Sequence, residues 1–210
     1  MSRGDLFVLV ADRDIEAAVL GVLSQPKKLG VRVVSAKTVL HQHHDPGCLR
    51  DGVAFMRERR SSFGHALVVF DHDGCGRESD TREQIESDME RELGASGWGD
   101  DAAAIVISPE IETWVWSDSP QVDEELGWAG RTPALRTWLR QRGFEMRGPK
   151  PLCPREALHA ALREARRQPS PVRFQRMAER VSLRRCIDPA FQKLERVLRA
   201  WFPSGEERTS

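Results

Sequence analysis

Short apolar runs recur through the first half of the chain at 6–11, 65–70 and 103–108. Continuous runs of this length are typical of strands that are buried on both faces of a parallel sheet. A run with more polar interruptions, at 31–35, predicts a further strand. The pattern therefore predicts four short strands.

The segments between these runs have the spacing of amphipathic helices. After the first run, apolar residues recur at intervals of three and four, which places them on one helical face: Ile15, Ala18, Val19, Val22 and Leu23. A polar loop at 41–48 precedes a second predicted helix, and a third begins at a capping-box pattern, Asp80 to Glu83. A fourth is predicted at 109–116. Strands that alternate with helices predict an α/β fold of Rossmann-like type, with a mainly parallel sheet and helices on both faces.

Beyond Gly130 the apolar runs give way to helical patterns. Helices are predicted at 133–142, 154–167, 171–181 and 188–202, with a loop rich in Gly and Pro at 142–154. We therefore expect three parts: an α/β domain at 1–130, a helical extension packed on it at 131–203, and a frayed tail at 204–210.

The net charge of zero conceals a strong division of charge. Residues 1–130 contain 13 Lys and Arg against 24 Asp and Glu, which gives −11, whereas residues 131–202 contain 18 against 6, which gives +12. Two compatible interpretations are that the parts dock and neutralise each other, or that a basic surface for phosphates lies beside an acidic site.

Neither a membrane span nor a secretory signal is expected from the sequence, because no apolar run approaches the roughly 20 residues that a bilayer requires. The four cysteines are widely spaced without a CxxC pair, which favours free thiols in the cytoplasm.

Acidic residues follow three of the predicted strands. Asp71 and Asp73 come directly after the run at 65–70, Asp12 follows the first run with Glu16 one turn later, and the fourth is followed by two glutamates, Glu110 and Glu112. In parallel sheets, functional groups gather where the strands end. Carboxylate oxygens are the ligands that Mg²⁺ prefers, so these residues form a candidate metal site.

The DxD at 71–73 after a buried strand, with an acidic residue ending an earlier strand, resembles the TOPRIM domain of topoisomerases, primases and OLD-family nucleases. Further motifs resemble small proteins of methylation-associated phage-defence systems: the Asp-Pro-Gly-Cys loop, Pro109-Glu-Ile-Glu-Thr-Trp, Lys150-Pro and Pro154-Arg-Glu-Ala. The resemblance implies a TOPRIM-like fold and a metal-dependent nuclease, or another phosphodiester-processing component, of a bacterial anti-phage system.

On this resemblance Asp71 and Asp73 would hold Mg²⁺ or Mn²⁺, with Asp12 as base or ligand. Glu16, Glu110 and Glu112 would complete the metal shell. The expected nucleic acid is DNA rather than RNA, contacted by a set of basic and histidine side chains: Lys150, Arg155, His43 and His44. Partner proteins of the defence system are a further expectation.

The chain departs from the family at one position. TOPRIM enzymes place Glu-Gly directly after the first strand, whereas this chain has Asp12-Arg-Asp14. A second hypothesis is therefore a catalytically inactive subunit that binds a partner protein through the same fold.

Three other interpretations have weaker support. A zinc site would use the polar loop, but its spacing matches no standard finger: His41, His43, His44, Asp45 and Cys48. The DxD also resembles haloacid-dehalogenase phosphatases, although theirs follows the earliest strand. Cys75 is a conceivable nucleophile, but neighbouring carboxylates would raise its pKa, so packing is favoured. Trp98 lies between two glycines and is expected at the surface.

Overall fold

The computed structural model describes residues 3–116, 119–180, 186 and 188–204. Its centre is a sheet of four parallel strands: β1 (Gly4–Val10), β2 (Ala36–Leu40), β3 (Phe63–Asp71) and β4 (Ala102–Ile107). The spatial order is β2-β1-β3-β4. Strands β1, β3 and β4 confirm the three apolar runs, and their inner residues are buried. The α/β, Rossmann-like prediction is thereby confirmed.

Helices connect the strands. They are α1 (Arg13–Leu23), the short α2 (Pro26–Leu29), α3 (His44–Arg57) and α4 (Arg82–Leu93). The chain moves from β1 to β2 in one direction and from β3 to β4 in the other. Right-handed crossovers then place α1 and α4 on opposite faces of the sheet. The direction in which successive strands are added to the sheet therefore changes between β1 and β3. Ligands bind at such a switch point in sheets of this kind.

Four details of the prediction are wrong. The second strand is not 31–35 but Ala36–Leu40, and Val31 forms only an isolated bridge to Pro203. The capping box begins one residue later, at Thr81 with Gln84. The polar loop ends earlier because α3 begins at His44. Trp98 is 1% exposed, because its indole packs in the core and donates a hydrogen bond to the Met56 carbonyl at 3.2 Å.

The second half of the chain is mainly helical. After the short α5 (Glu112–Val115) come α6 (Pro120–Leu126) and α7 (Leu135–Gln141), then a small hairpin of β5 (Met146–Arg147) and β6 (Lys150–Pro151). It is followed by α8 (Pro154–Glu164), α9 (Pro171–Arg180) and α10 (Pro189–Trp201). The helices predicted at 133–142, 154–167, 171–181 and 188–202 are therefore present, with slightly different bounds. The hairpin and α6 were not predicted.

The helical extension packs directly on the α/β part. Helix α9 lies against α1 so closely that a Cβ atom on Gly21 would be 2.7 Å from the Gln175 carbonyl oxygen. Lys193 of α10 pairs with two carboxylates of α4, those of Glu86 at 3.1 Å and Glu90 at 2.7 Å. Opposite charges of the two parts thus neutralise each other at this contact. Within the described residues, every helix is too short or too polar to cross a bilayer.

Candidate functional site: an acidic cluster at the carboxyl edge of the sheet

Six carboxylates meet where β1, β3 and β4 end, and we call them the acidic cluster. Two of its members follow β1, one ends β3, two follow β4, and one lies in the first turn of α3: Asp12, Asp14, Asp71, Glu110, Glu112 and Asp45. Hydrogen bonds, ion pairs and mutual electrostatic effects connect them. The cluster lies at the β1/β3 reversal of the sheet, the position that favours ligand binding.

Asp71 is the centre of the cluster and is only 1% exposed. Its Oδ1 accepts a hydrogen bond from the backbone N–H of Ile111 at 2.8 Å. Its own N–H donates to Asp45 Oδ1 at 2.8 Å. These two bonds hold the end of β3 to the loop after β4 and to the first turn of α3.

One arginine of the helical extension lies among the carboxylates. The guanidinium of Arg155, in the first turn of α8, is 3.4 Å from Asp71 Oδ2, 3.0 Å from Glu110 Oε2 and 3.1 Å from Glu112 Oε1. Its backbone N–H also donates to Glu110 Oε1 at 2.8 Å. The Oε2 atom of Glu112 is buried without a hydrogen-bond partner. A single cation therefore serves three carboxylates and leaves one buried oxygen unsatisfied.

The electrostatics of the cluster favour the protonated acids. Burial raises the pKa of Asp71 well above its ordinary value, and the carboxylates of Asp45, Glu112 and Asp12 raise it further. Burial, then repulsion from Asp12 and Glu112, raises the pKa of Asp14 to about 6.

The pKa values of Glu110 and Asp45 are raised as well. Burial and the neighbouring Glu112 raise the pKa of Glu110 to about 7. Burial also raises the pKa of Asp45, against the lowering effect of the Asp71 N–H. Crowded carboxylates that retain protons near neutral pH are a site where additional positive charge would be stabilised.

The predicted ligands after β1 have different environments. Asp12 caps α1, because its Oδ1 accepts from the N–H groups of Asp14 and Ile15, each at 2.9 Å. Glu16 instead accepts a hydrogen bond from Thr38 Oγ1 at 2.6 Å and lies near Arg13. The contacts thus hold Asp12 at the edge of the cluster and direct Glu16 toward β2.

Asp73 is separated from Asp71 despite their DxD spacing. Its side chain is 59% exposed and lies 3.8 Å from His72 Nδ1. Its backbone N–H donates to the Pro109 carbonyl at 3.0 Å, which fixes the turn after β3. The structure therefore places Asp71 and Glu110 together in the cluster but gives Asp73 no contact with it.

The residues predicted to contact nucleic acid lie in different places. Arg155 is in the acidic cluster, with its side chain 47% exposed. Lys150 is 3.6 Å from Asp188. The imidazoles of His43 and His44 contact Gln42 and the Ala11 carbonyl respectively. The four side chains thus have different contact partners.

The alternatives of the polar loop and Cys75 receive no support from the contacts. Asp45 is bound to the Asp71 N–H, and Cys48 is fully buried. The pKa of Cys75 is raised, chiefly by burial, which opposes a nucleophilic role.

Asp14 and Asp45 were missed as members of the cluster. Asp14 repeats at β1 the i, i+2 spacing that drew attention to 71–73. Asp45 follows β2, and the signal was lost because that strand was predicted at 31–35.

The donor chemistry of the cluster fits a hard divalent cation, since every donor is a carboxylate oxygen and one, Glu112 Oε2, is buried and unsatisfied. Across 3–116, 119–180, 186 and 188–204, no three acidic, His or Cys side chains are grouped for a metal ion. The guanidinium of Arg155 lies among the carboxylates instead, so cation binding would require it to move.

A scan against protein-family models finds no match, and comparisons with curated proteins and with solved structures find none either.

Proposed function

We propose that this chain is a TOPRIM-like, divalent-cation-dependent phosphodiester-processing protein, a nuclease of a bacterial anti-phage system. One observation carries the proposal: carboxylates from the ends of three parallel strands lie around Asp71, and among the described residues they outnumber the one arginine, Arg155, that contacts them. Repulsion of this kind is costly unless a cation relieves it. The defence context and the preference for DNA rest on the motif resemblance alone.

The cation would be held by Asp71 and Glu112, with Asp12 or Asp14 from the β1 side. Mg²⁺ or Mn²⁺ bound there would supply positive charge to a phosphodiester as it is cleaved. Asp12 has only its Oδ1 committed to the helix cap, so its second oxygen is available as ligand or base. Asp73 and Glu16 are not ligands of the cation in the proposed site.

Arg155 determines whether the cation can enter. Its side chain is half-exposed, so the guanidinium can turn toward solvent without leaving a buried position. Its departure would free oxygens of Asp71, Glu110 and Glu112 together. A divalent cation and the guanidinium therefore compete for the same carboxylates.

The same contact supports a second candidate function. If Arg155 remains in place, it partly neutralises the cluster within the chain, and the cluster is a structural joint between the α/β part and the helical extension. This arrangement, with Asp12 in place of Glu-Gly, favours a catalytically inactive subunit that recruits a partner protein.

Thermal unfolding in Mg²⁺ or Mn²⁺, against EDTA, tests the proposal. A cation that binds only the folded chain must raise the melting temperature. We expect this increase in the wild type and in Asp100→Asn, an exposed site at the opposite edge of the sheet, but not in Asp71→Asn.

Cleavage of DNA and RNA substrates is measured on the same variants. Cleavage that depends on Asp71 and survives Asp73→Asn supports the enzyme in the form proposed. Absence of both cation binding and cleavage contradicts it and favours the inactive subunit.

A further inference from the structure

A second concave site lies beside the acidic cluster. It is a cavity of about 740 Å³ between the β4–α5 connection, the β5–β6 hairpin and the start of α10. This volume is within the range of small-ligand pockets, about 300–1,000 Å³. Its wall is largely aromatic and apolar, formed by Trp114, Trp116, Pro109, Pro151, Leu152 and Pro189. Such a wall accommodates a flat, apolar group.

The charges at this cavity favour an anion. Arg147 lines it, is exposed, and has no ion pair with any residue that the structure describes. Lys150 also lines it, 3.6 Å from Asp188. The Asp188 carboxylate already has other hydrogen bonds, because its Oδ1 accepts from Trp114 Nε1 at 3.0 Å and also caps α10. Two cations against one committed carboxylate give the rim a net positive charge.

An unsatisfied hydroxyl gives an independent indication of a ligand. Thr113 lines the cavity and is 8% exposed, and its Oγ1 has no hydrogen-bond partner among the residues that the structure describes. A buried polar atom without a partner is destabilising, so such atoms are usually satisfied by a protein group, water or ligand. A ligand with a polar edge could satisfy this one.

The cavity and the acidic cluster are formed in part by the same stretch of chain. Pro109 and Thr113 line the cavity, and they are the immediate neighbours of Glu110 and Glu112 in the chain. A group that is flat and apolar at one end and anionic at the other, beside a phosphodiester site, has the chemistry of a nucleotide.

We propose that this cavity binds one unpaired nucleotide of a nucleic-acid strand. Trp116 is fully buried, so the base would lie against Trp114 and the neighbouring prolines, and the phosphate would contact Arg147 and Lys150. The inference rests on the proposed function and adds to it the substrate class, a strand with an unstacked base. Contacts between bases and aromatic side chains are a main source of affinity in single-strand binding, and they can hold one nucleotide in register.

Equilibrium binding without divalent cations tests this inference separately from cleavage. Deoxynucleoside monophosphates and a short single-stranded oligonucleotide are titrated in EDTA, with tryptophan fluorescence and calorimetry as readouts. We expect both probes to bind, and Arg147→Ala to weaken them about tenfold or more, because the variant removes a charge-assisted hydrogen bond to the phosphate. Arg140→Ala, an equally exposed arginine on α7, is the matched control.

A second variant tests the apolar wall. Leu152 is 53% exposed, so Leu152→Asp leaves folding intact while introducing negative charge at the cavity, and it should also weaken nucleotide binding. The inference is overturned if ribose phosphate binds as well as a nucleotide, if Arg147→Ala behaves like Arg140→Ala, or if an aromatic carboxylate binds and nucleotides do not. Nucleotide binding without any cleavage would retain this inference and contradict the proposed nuclease.

Discussion

Replacing Arg155 by Met removes a cation that contacts three carboxylates of the acidic cluster but retains the aliphatic part of the side chain. Removing one partner of a buried ion pair costs about 3–5 kcal/mol, because the other charge stays buried and uncompensated. The Arg155 side chain is half-exposed, so solvent screens part of this loss, and we expect about 2 kcal/mol at pH 8.

The loss should depend on pH in a defined direction. A carboxyl group whose pKa is higher in the folded than in the unfolded chain takes up a proton on folding. Its favourable contribution is complete below the ordinary pKa and is lost as the pH rises to the folded value. For Glu110 this window runs from 4.5 to about 7, and for Asp14 from 3.8 to about 6. At pH 5 these groups retain protons, so Arg155→Met should cost well under ~1 kcal/mol.

Urea unfolding at pH 5 and pH 8 measures both values. At pH 8 the melting temperature should also fall by about 4–8 °C, because 1 kcal/mol corresponds to about 2–4 °C for a chain of this length. Arg163→Met, an exposed arginine on the same helix, is the control and should change little at either pH.

Equal losses at both pH values, or a loss no greater than that of Arg163→Met, would refute the account of Arg155 as the counter-ion of the cluster. Mn²⁺ gives a further comparison. If cation and guanidinium compete for the same oxygens, Mn²⁺ should raise the melting temperature of Arg155→Met more than that of the wild type.

Three other expectations concern charge, packing and capping, and each is measured by chemical denaturation. Glu110→Gln should stabilise the chain at pH 8 and have little effect at pH 4, because the pKa difference of Glu110 corresponds to at most roughly 3 kcal/mol of unfavourable ionisation. Gly21→Ala should destabilise the chain by about 1 kcal/mol or more, because overlap with the Gln175 carbonyl outweighs the gain in helix propensity. Gly52→Ala should instead stabilise it by up to ~1 kcal/mol, because the nearest atoms to the added Cβ are 3.5 Å away. Asp12→Ala should cost about 1 kcal/mol through loss of the α1 cap, and Asp12→Asn, which retains the capping oxygen, should not; equal effects of the two would contradict the capping account.

The sheet was largely predictable because burial on both faces leaves a strong pattern. Strands β1, β3 and β4 are nearly continuous apolar runs, and the structure buries them completely toward their carboxyl ends. Strand β2 lies at the edge of the sheet and is only partly buried. It therefore includes the polar residues Lys37 and Thr38, and its apolar pattern is weaker than that of the other strands. The more apolar segment 31–35 was preferred, although Val33 is 78% exposed.

Four of the six members of the acidic cluster were predictable by the same logic. Residues that follow a buried parallel strand lie at one edge of the sheet, which located Asp12, Asp71, Glu110 and Glu112. Asp73 shows the limit of that argument. Two residues beyond a strand the backbone is already turning, and the hydrogen bond from the Asp73 N–H to the Pro109 carbonyl leaves the side chain in solvent.

Arg155 could not be placed from local pattern, because it lies 84 residues from Asp71 in the chain. The available signal was the division of charge, −11 in residues 1–130 against +12 in 131–202. Parts of opposite charge attract, so a basic side chain of the extension beside the carboxylates of the α/β part is an electrostatically favoured outcome. Any ligand of the cluster must therefore compete with Arg155 of the extension. On the proposed function, a divalent cation would compete best at near-neutral pH, where Glu110 and Asp14 ionise, and would lose that advantage as the pH falls toward 5.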